Sequence, residues 1–299
     1  MAGQSLPLRI MVSRHAAFYS PLIAGVAAGF FAEEGFAPTY AVVPAGTTVA
    51  QHIASGEVDV VQSAVSASWV ALERGQPSPL AHFAQVNQRD GFFLAARDGT
   101  GTFRWEQLRV GGFLYVHGGQ PQAMLAYALH RKGIELSELQ GIHRGSTQEM
   151  LQAFRAGEGA WFHEQGPYPQ QLETEGVARV VAAVGEVIGP VAFSSVAATR
   201  DWARGPAAPR FMRAYRKARA WVNSAPPAEV AAREAGFFPG ISPGALTRAI
   251  EAYQNLGTWS GDVAIEREPY ERALDVFAHS KLITRRHPYE EVVIAPPDA

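Results

Sequence analysis

Four side chains suited to binding a ligand lie in one predicted loop, residues 13–19, directly after the first predicted strand. Arg14 could present its planar guanidinium to a carboxylate or sulfonate, and His15 could donate or accept a hydrogen bond. Phe18 and Tyr19 could stack on a flat ligand, although aromatic residues near strand ends more often pack in a core. Arg14 has two other interpretations, a surface arginine or an ion pair with a distant part of the chain. The loop is therefore a candidate binding loop.

Polar side chains also follow the other predicted strands or begin the helices after them. Arg144 follows a strand in the predicted second lobe, residues 96–192, as Arg14 does in the first, and its alternative role is to pair with Glu149. Glu164 could bind an amino-substituted group, and its alternative role is to neutralise Arg144 or His163. The other candidate ligand-binding residues are Thr47, Ser63, Ser66, Asn87, His117, His163 and Gln165.

The chain contains few of the groups that metal binding or covalent catalysis commonly needs. It has no cysteine, which excludes a thiolate nucleophile, a disulfide and a cysteine-ligated metal. His15, His117, His143 and His163 come from separate loops without paired-ligand spacing, so we expect no metal site among them. No predicted site loop contains a lysine for a Schiff-base cofactor. No dinucleotide, P-loop or nucleophile-elbow motif occurs, and we expect no cofactor.

Alternating strands and helices position these candidates. Residues 8–12 predict a strand, and Ser20 followed by Pro21 predicts the start of a helix over 22–31. A second strand over 39–43 completes a βαβ unit, whose binding loop lies at the carboxyl end of the first strand. Three further strands are predicted at 58–62, 80–86 and 92–97.

A second α/β set follows the glycine- and threonine-rich stretch 98–104. Its helix-to-strand junction, Phe-Arg-Ala-Gly-Glu at 154–158, resembles Ile-Ala-Ser-Gly-Glu at 53–57, which favours a duplicated architecture. Residues 191–198 predict an extended return segment, after which only helices are predicted. The fold class is therefore α/β, with two Rossmann-like lobes around a central cleft. We expect lobe I to contain residues 1–95 and 193–299, and lobe II to contain residues 96–192.

Composition limits the function classes. The formal net charge is −2, with 47% hydrophobic and 18% charged residues, which is ordinary for a globular protein and gives no reason to expect nucleic acid as a partner. No apolar run is long enough for a transmembrane helix. The first residues lack the basic and apolar regions of a secretory signal. We expect a monomer, periplasmic if the chain is a mature or trimmed form and otherwise cytoplasmic.

The sequence resembles type II periplasmic solute-binding proteins of ABC importers, within the nitrate, sulfonate, taurine and thiamine-pyrimidine group. The resemblance rests mainly on Gly-Phe-Phe-Ala-Glu-Glu-Gly at 29–35 and Ser-Gly-Glu-Val-Asp at 55–59. It also rests on Tyr-Ser-Pro-Leu-Ile-Ala at 19–24, Gly-Glu at 157–158, Gly-Pro-Tyr at 166–168 and the tail 277–291. It implies the type II periplasmic-binding-protein fold and a small-molecule ligand between the lobes. It also implies delivery of that ligand to an ABC permease.

Two positions depart from that family. Ala160 stands where many members carry aspartate in the second Gly-Glu motif, and the loop 115–121 lacks their Gly-Ser helix start.

The leading hypothesis is capture of a small organic ligand, anionic or N-heterocyclic, without catalysis. The alternative is a soluble enzyme on the same fold, of the pyrimidine-synthesis, desulfinase or menaquinone-precursor type. The absence of cysteine weighs against a cysteine-dependent enzyme but leaves open a carboxylate- or histidine-based one that uses Glu164 or His163.

Overall fold

The computed structural model describes residues 5–98 and 101–298, so the ends of the predicted lobes and part of the stretch 98–104 lie outside the described residues. The strands are β1 (Leu6–Val12), β2 (Phe36–Val42), β3 (Val60–Ser63), β4 (Ala81–Asn87), β5 (Phe92–Ala96), β6 (Phe113–Tyr115), β7 (Gly141–Ile142), β8 (Trp161–Gln165), β9 (Arg179–Ala183) and β10 (Ser194–Ala198). The α-helices are α1 (Ser20–Ala27), α2 (Phe30–Glu33), α3 (Val49–Ala54), α4 (Val65–Glu73), α5 (Gly119–Arg131), α6 (Thr147–Arg155), α7 (Tyr168–Thr174), α8 (Val184–Ile188), α9 (Arg200–Arg204), α10 (Ala207–Ser224), α11 (Pro227–Glu234), α12 (Pro243–Leu256), α13 (Arg267–His279) and α14 (Tyr289–Val292).

The strands of the described residues form two five-stranded sheets of similar design. The first has the order β2-β1-β3-β10-β4 and the second β7-β6-β8-β5-β9. In the first sheet β1 runs parallel to β2 and β3, and β10 is antiparallel to both of its neighbours. In the second, β6 runs parallel to β7 and β8, and β5 is antiparallel to both of its neighbours. The parallel pairing typical of a βαβ unit is therefore interrupted by one antiparallel strand in each sheet.

Strand β5 lies in the second sheet, although the sequence predicts it in lobe I. It pairs with β8 and β9 over its whole length. The chain therefore first passes from one sheet to the other in residues 88–91, directly after β4. The boundary predicted from the sequence lies later, at residue 95. It returns in residues 189–193, before β10. We propose these two segments as the lobe boundaries in place of those predicted from the sequence.

The two crossing segments lie side by side. The Val191 N–H donates to the carbonyl oxygen of Gln88 at 2.8 Å. The Ser194 N–H donates to the Asn87 side-chain oxygen at 3.0 Å. Asp90, also in the first crossing, is fully buried and accepts a hydrogen bond from the Phe92 N–H at 2.8 Å. The antiparallel strands β5 and β10 thus begin directly where the chain enters each sheet.

The helix predicted over 22–31 is two helices, α1 and α2. Gly29 separates them with φ of +86°, a left-handed conformation that glycine adopts without the cost a side chain would bring. Gly25 allows the two helices to pack closely, because a Cβ there would stand 2.3 Å from the Phe31 ring. The start of α1 at Ser20, with Pro21 in the first turn, agrees with the sequence signal.

The helices that follow β10 cover both lobes. Helix α10 packs on α1 and α2, and α11 packs on α1. In contrast, α12 packs on α7 and α13 packs on α5, both in the half that contains the second sheet. None of the helices in the described part of the chain is long and apolar enough to span a bilayer.

Candidate functional site

The polar floor of the cleft forms at the carboxyl ends of β1 and β3, which are adjacent because Val12 pairs with Gln62. The backbone N–H and hydroxyl of Ser13 both donate to Gln62 Oε1 at 3.0 Å. Gln62 Nε2 donates to the hydroxyl of Ser194 at 2.6 Å. These bonds tie the loop after β1 to β3 and β10, so the floor is held in place before any ligand binds.

A cavity of about 490 Å³ lies on this floor and receives residues from both sheets. That volume suits a small organic molecule. Its polar lining consists of Ser13, Arg14, Tyr19, Thr47, Thr48, Gln62, Ser63, Ser66, Gln120, Gln165 and Ser194. Its remaining lining consists of Val43, Val49, Ala64, Ala67, Val70, Phe92, Gly119, Pro121, Phe193 and Phe277. Arg14 is the one charged side chain among these lining residues.

Two helices begin at the cavity, one in each half of the molecule. Ala64 precedes α4 and offers no side-chain cap, so the first N–H groups of that helix keep their donor capacity. Gly119 and Pro121, in the first turn of α5, also line the cavity; Gly118 at the N-cap has no side chain to bond the first N–H groups, and its own N–H donates to Gln122 Oε1 at 2.7 Å. Free N–H groups and the helix dipole favour an anion at such a position. The cavity can therefore receive negative charge from either side.

A hydrogen bond between α4 and α5 spans the cavity. The Ser66 hydroxyl donates to Gln120 Oε1 at 3.0 Å, and Gln120 Nε2 donates to the Phe193 carbonyl at 2.9 Å. The two helix starts are therefore connected through neutral side chains. These bonds leave no formal charge that a ligand would have to neutralise.

Arg14 forms an ion pair with Glu164 across the cleft. Glu164 is fully buried, whereas the Arg14 side chain is 27% exposed. Thr147 donates to Glu164 Oε2 at 2.8 Å, and the Gln165 N–H donates to Oε1 at 2.7 Å. Burial opposes the charge of Arg14, but the Glu164 carboxylate outweighs it and raises the pKa of the guanidinium. This geometry corresponds to the ion-pair alternative for Arg14, and both oxygens of the buried Glu164 carboxylate already accept hydrogen bonds.

Gln165 and Tyr19 lie beside this ion pair and face the cavity. Gln165 Nε2 donates to the Tyr19 hydroxyl oxygen at 3.3 Å. Gln165 Oε1 is buried and has no hydrogen-bond partner among the described residues. Burial raises the pKa of Tyr19, so its phenol stays neutral. An unpaired buried amide oxygen in a cavity wall is an acceptor that a ligand donor can satisfy.

A second cavity, of about 380 Å³, opens on the other side of Arg14. His15, His117 and Arg144 line it, but each is already engaged. His15 contacts the Tyr40 hydroxyl at 3.0 Å and the Phe237 carbonyl at 2.7 Å, and burial lowers its pKa. These three predicted ligand residues thus lie in a cavity separate from that of Tyr19 and Gln165.

The partners of His117 and Arg144 lie in the same lobe as these two residues, the lobe that contains the second sheet. His117 stacks on Tyr115, with ring centroids 3.9 Å apart, and burial together with neighbouring His143 lowers its pKa. Arg144 pairs with Glu158. The expected alternative partner of Arg144, Glu149, instead accepts from the backbone N–H of Ser146 at 2.7 Å. The predicted pairing of Arg144 with Glu149 is therefore wrong.

Besides Glu164, three predicted ligand residues are packed inside the protein and line neither cavity. Phe18 is fully buried, with its ring 5.2 Å from Phe193. Asn87 is fully buried and joins the crossing segments. His163 is fully buried, stacks on Phe92 at 4.5 Å, and has neither ring nitrogen paired among the described residues. Burial, followed by the charge of Arg14, lowers the pKa of His163 to about 3. Packing explains all three positions.

The structure brings Arg14, Tyr19, Thr47, Ser63, Ser66 and Gln165 of the predicted set to the larger cavity. Other lining residues were not predicted from the sequence. Phe193 and Ser194 come from the second crossing and the start of β10, and Phe277 comes from α13. A local signal existed for Gln62, because an uncharged polar side chain ends an apolar strand there. No local pattern indicates Phe277, since it lies inside an amphipathic helix.

Two similar α/β lobes, joined by paired crossings around a polar cavity, define the class of two-lobe periplasmic binding proteins. Within that class the chain belongs to the NMT1-like family, whose model matches residues 15–235. The expected fold class and family resemblance are thereby confirmed.

Individual proteins agree with this placement. A protein of Bacillus subtilis (strain 168) named as a binding protein, YtlA, is 26% identical over 283 residues, covering 93% of this chain and 85% of that protein. The periplasmic aliphatic sulphonate-binding protein SsuA of Escherichia coli is 15% identical, with a TM-score of 0.75 over 98% of this chain and 93% of that chain. The alkanesulfonate-binding protein SsuA of Xanthomonas axonopodis pv. citri, bound to MOPS, is 16% identical, with a TM-score of 0.73 over 98% and 99%. The Bacillus subtilis protein supports the predicted solute-binding role over the enzyme alternative, and the two solved structures share the fold of this chain.

Proposed function

We propose that this protein captures a small organic anion with an apolar body between its two lobes and delivers it to an ABC importer. The observation that carries the proposal is the cavity of about 490 Å³ between the sheets, lined from both halves of the chain. A ligand that contacts both lobes only when they are closed shifts the equilibrium toward closure. No covalent chemistry is needed for this role.

The charges around the cavity support an anionic or neutral ligand over a cationic one. No carboxylate belongs to the described cavity lining, and Glu164 behind it is fully buried and bonded to Arg14 and Thr147. A cation would therefore be desolvated without a counter-charge. An anion would meet N–H groups at the starts of α4 and α5. The relatives named for sulfonates support an anionic head group, and Val43, Val49 and Phe277 offer apolar surface to the rest of the ligand.

The proposed site residues are Arg14, Tyr19, Thr47, Ser63, Ser66 and Gln165 from the predicted set, together with Gln62, Gln120, Phe193 and Ser194. Ser66 and Gln120 have the clearest roles, because their side chains meet between the two helix starts. Periplasmic location and docking on a permease follow from the same proposal, in agreement with the relatives.

Calorimetry with matched probes tests the charge of the ligand. The two probes are an alkanesulfonate and an alkylammonium of equal chain length. We expect saturable one-to-one binding of the alkanesulfonate and no saturable binding of the alkylammonium. Native mass spectrometry of the purified protein should release one small anionic molecule for each chain. Preferential binding of the ammonium probe would contradict the anion assignment. Chemical conversion of a bound molecule would contradict the solute-binding role itself.

A cavity-filling variant tests the location. Ala67, in the first turn of α4, lines the cavity, and Ala71, one turn later, does not. Both are partly exposed, so Ala67→Trp and Ala71→Trp form a matched pair. We expect Ala67→Trp to weaken binding at least about tenfold by occupying the ligand volume. Equal affinity of the two variants would place the ligand elsewhere.

A further inference from the structure

A cluster of metal-ligating side chains lies outside the cleft, where α5 and α13 end together. His130 is in the last turn of α5 and His279 is in the last turn of α13. Glu135 follows α5 and begins the next 3₁₀ turn. One ligand atom from each of these three residues lies within 4.8 Å of the other two. We propose that His130, Glu135 and His279 bind a divalent transition metal ion of the zinc type.

The donor set fits that class of ion. Two imidazoles and one carboxylate are common zinc ligands, with bonds of about 2.0–2.2 Å and a water molecule completing the tetrahedron. Tetrahedral bonds of that length place ligand atoms roughly 3.4 Å apart. His130 Nδ1 and Glu135 Oε1 are already 3.0 Å apart. Mg²⁺ and Ca²⁺ prefer oxygen ligands throughout, so this cluster does not suit them.

The surroundings bring the ligands together and leave them accessible. Helix α13 packs along α5. The Tyr127 ring, one turn before His130, meets the His279 ring edge-on at 5.7 Å, and the two histidine rings are 4.4 Å apart. The His130 and Glu135 side chains are 52% and 58% exposed, so an ion can reach them from solvent.

Helix electrostatics favours a cation at this place. Both histidines lie in the last turns of long helices, where unpaired carbonyl groups and the helix dipoles create negative potential. A neutral imidazole at a helix end can therefore give a lone pair to a cation in a favourable field.

The position links the metal to the cleft. Helix α5 lines the larger cavity through Gly119, Gln120 and Pro121, and α13 lines it through Phe277. A metal held by both helices would fix α13 two residues from Phe277 and would fix the end of α5 that lies away from the cavity. The inference stands independently of the ligand proposal, because it concerns different side chains on the outer surface.

The chain offers a close control. His52 Nδ1 contacts Glu57 Oε2 at 2.7 Å, with the same five-residue spacing as His130 and Glu135. Among the described residues, the group of three possible metal ligands is His130, Glu135 and His279, and the His52–Glu57 pair has no third ligand of that kind. His52→Ala therefore removes a histidine–glutamate pair without removing the proposed site.

The test uses the full chain without an affinity tag, after treatment with a chelator, titrated with Zn²⁺ by calorimetry. We expect one Zn²⁺ to bind each wild-type chain. His279→Ala and Glu135→Gln should each lose at least about tenfold in Zn²⁺ affinity, because removing a metal ligand should cost at least as much as removing a residue that only orients a ligand. His52→Ala should bind as the wild type does. Co²⁺ should give a visible spectrum of tetrahedral character in the wild type and lose it in His279→Ala.

Two results would overturn the inference. One is the absence of saturable Zn²⁺ binding to the wild-type chain. The other is equal Zn²⁺ affinity in the wild type, His279→Ala and Glu135→Gln, with circular dichroism showing that all three are folded.

Discussion

Replacing Arg14 should destabilise the protein far more than replacing Arg144, although both follow strands in similar loops. In Arg14→Met the fully buried Glu164 loses its cationic partner and keeps Thr147 and the Gln165 N–H. Removing one member of a buried pair costs about 3–5 kcal/mol. Because Arg14 is 27% exposed and two donors remain, we expect a loss of about 2–3 kcal/mol in the free energy of unfolding.

Arg144→Met is the matched control. Arg144 and Glu158 are 40% and 34% exposed, and exposed ion pairs contribute less than about 1 kcal/mol. The double variant Arg14→Met/Glu164→Gln should recover part of the loss, because glutamine can still accept from Thr147 without carrying a charge. Urea unfolding at pH 7, followed by tryptophan fluorescence without ligand, measures all three. Equal losses in Arg14→Met and Arg144→Met would refute the role assigned to the buried pair.

Two pH-dependent predictions concern buried groups near the cleft. Burial raises the pKa of Asp90 from 3.8 to about 8, so the folded carboxyl keeps its proton and stability falls as the pH rises from about 4 toward 8. Asp90→Asn should therefore raise the free energy of unfolding at pH 7 by about 2–4 kcal/mol and change it little at pH 4. Urea unfolding measures both values, and an unchanged free energy of unfolding at pH 7 would contradict the prediction. Burial lowers the pKa of His163 from 6.5 to about 3, so the unfolded chain alone takes up a proton and stability falls as the pH drops below about 6.5. His163→Phe should reduce this loss of stability between pH 7 and pH 5 by up to about 2 kcal/mol. An acid-induced loss equal to that of the wild type would contradict the prediction.

Local signals in the sequence predict many helices and strands, because their causes are local. Helix α12 has local signals at both ends, since Ser242 caps its start at Pro243 and Gly257 follows Leu256 with φ of +70°. Strand β5 shows the limit of such signals. Its apolar run predicts an extended segment, but which sheet it joins depends on pairing with β8 and β9, about 70 and 85 residues later.

The candidate site was predicted in part for a related reason. The order of strands and helices predicts that a residue at a strand end lies near the cleft. It does not predict whether the side chain points into the cavity, because the local backbone sets that direction. Tyr19 and Gln165 face the cavity, whereas their neighbours Phe18 and Glu164 are buried behind it. Arg14 lies at the cavity, but its partner Glu164 is 150 positions away in the sequence. The His279 cluster also needs the packing of α13 on α5, which no spacing in the sequence reveals.

The side-chain bonds between the two halves of the chain affect how an importer could distinguish the loaded from the empty protein. Arg14 with Glu164 and Ser66 with Gln120 connect the halves without any contribution from a ligand. A ligand changes the closed population only by its differential affinity for the two states. If closure is already favoured by these bonds, the empty protein spends more time in the shape that a permease would recognise. Empty molecules would then compete with loaded ones for the same docking face, and weakening the Arg14 contact would sharpen the difference between them.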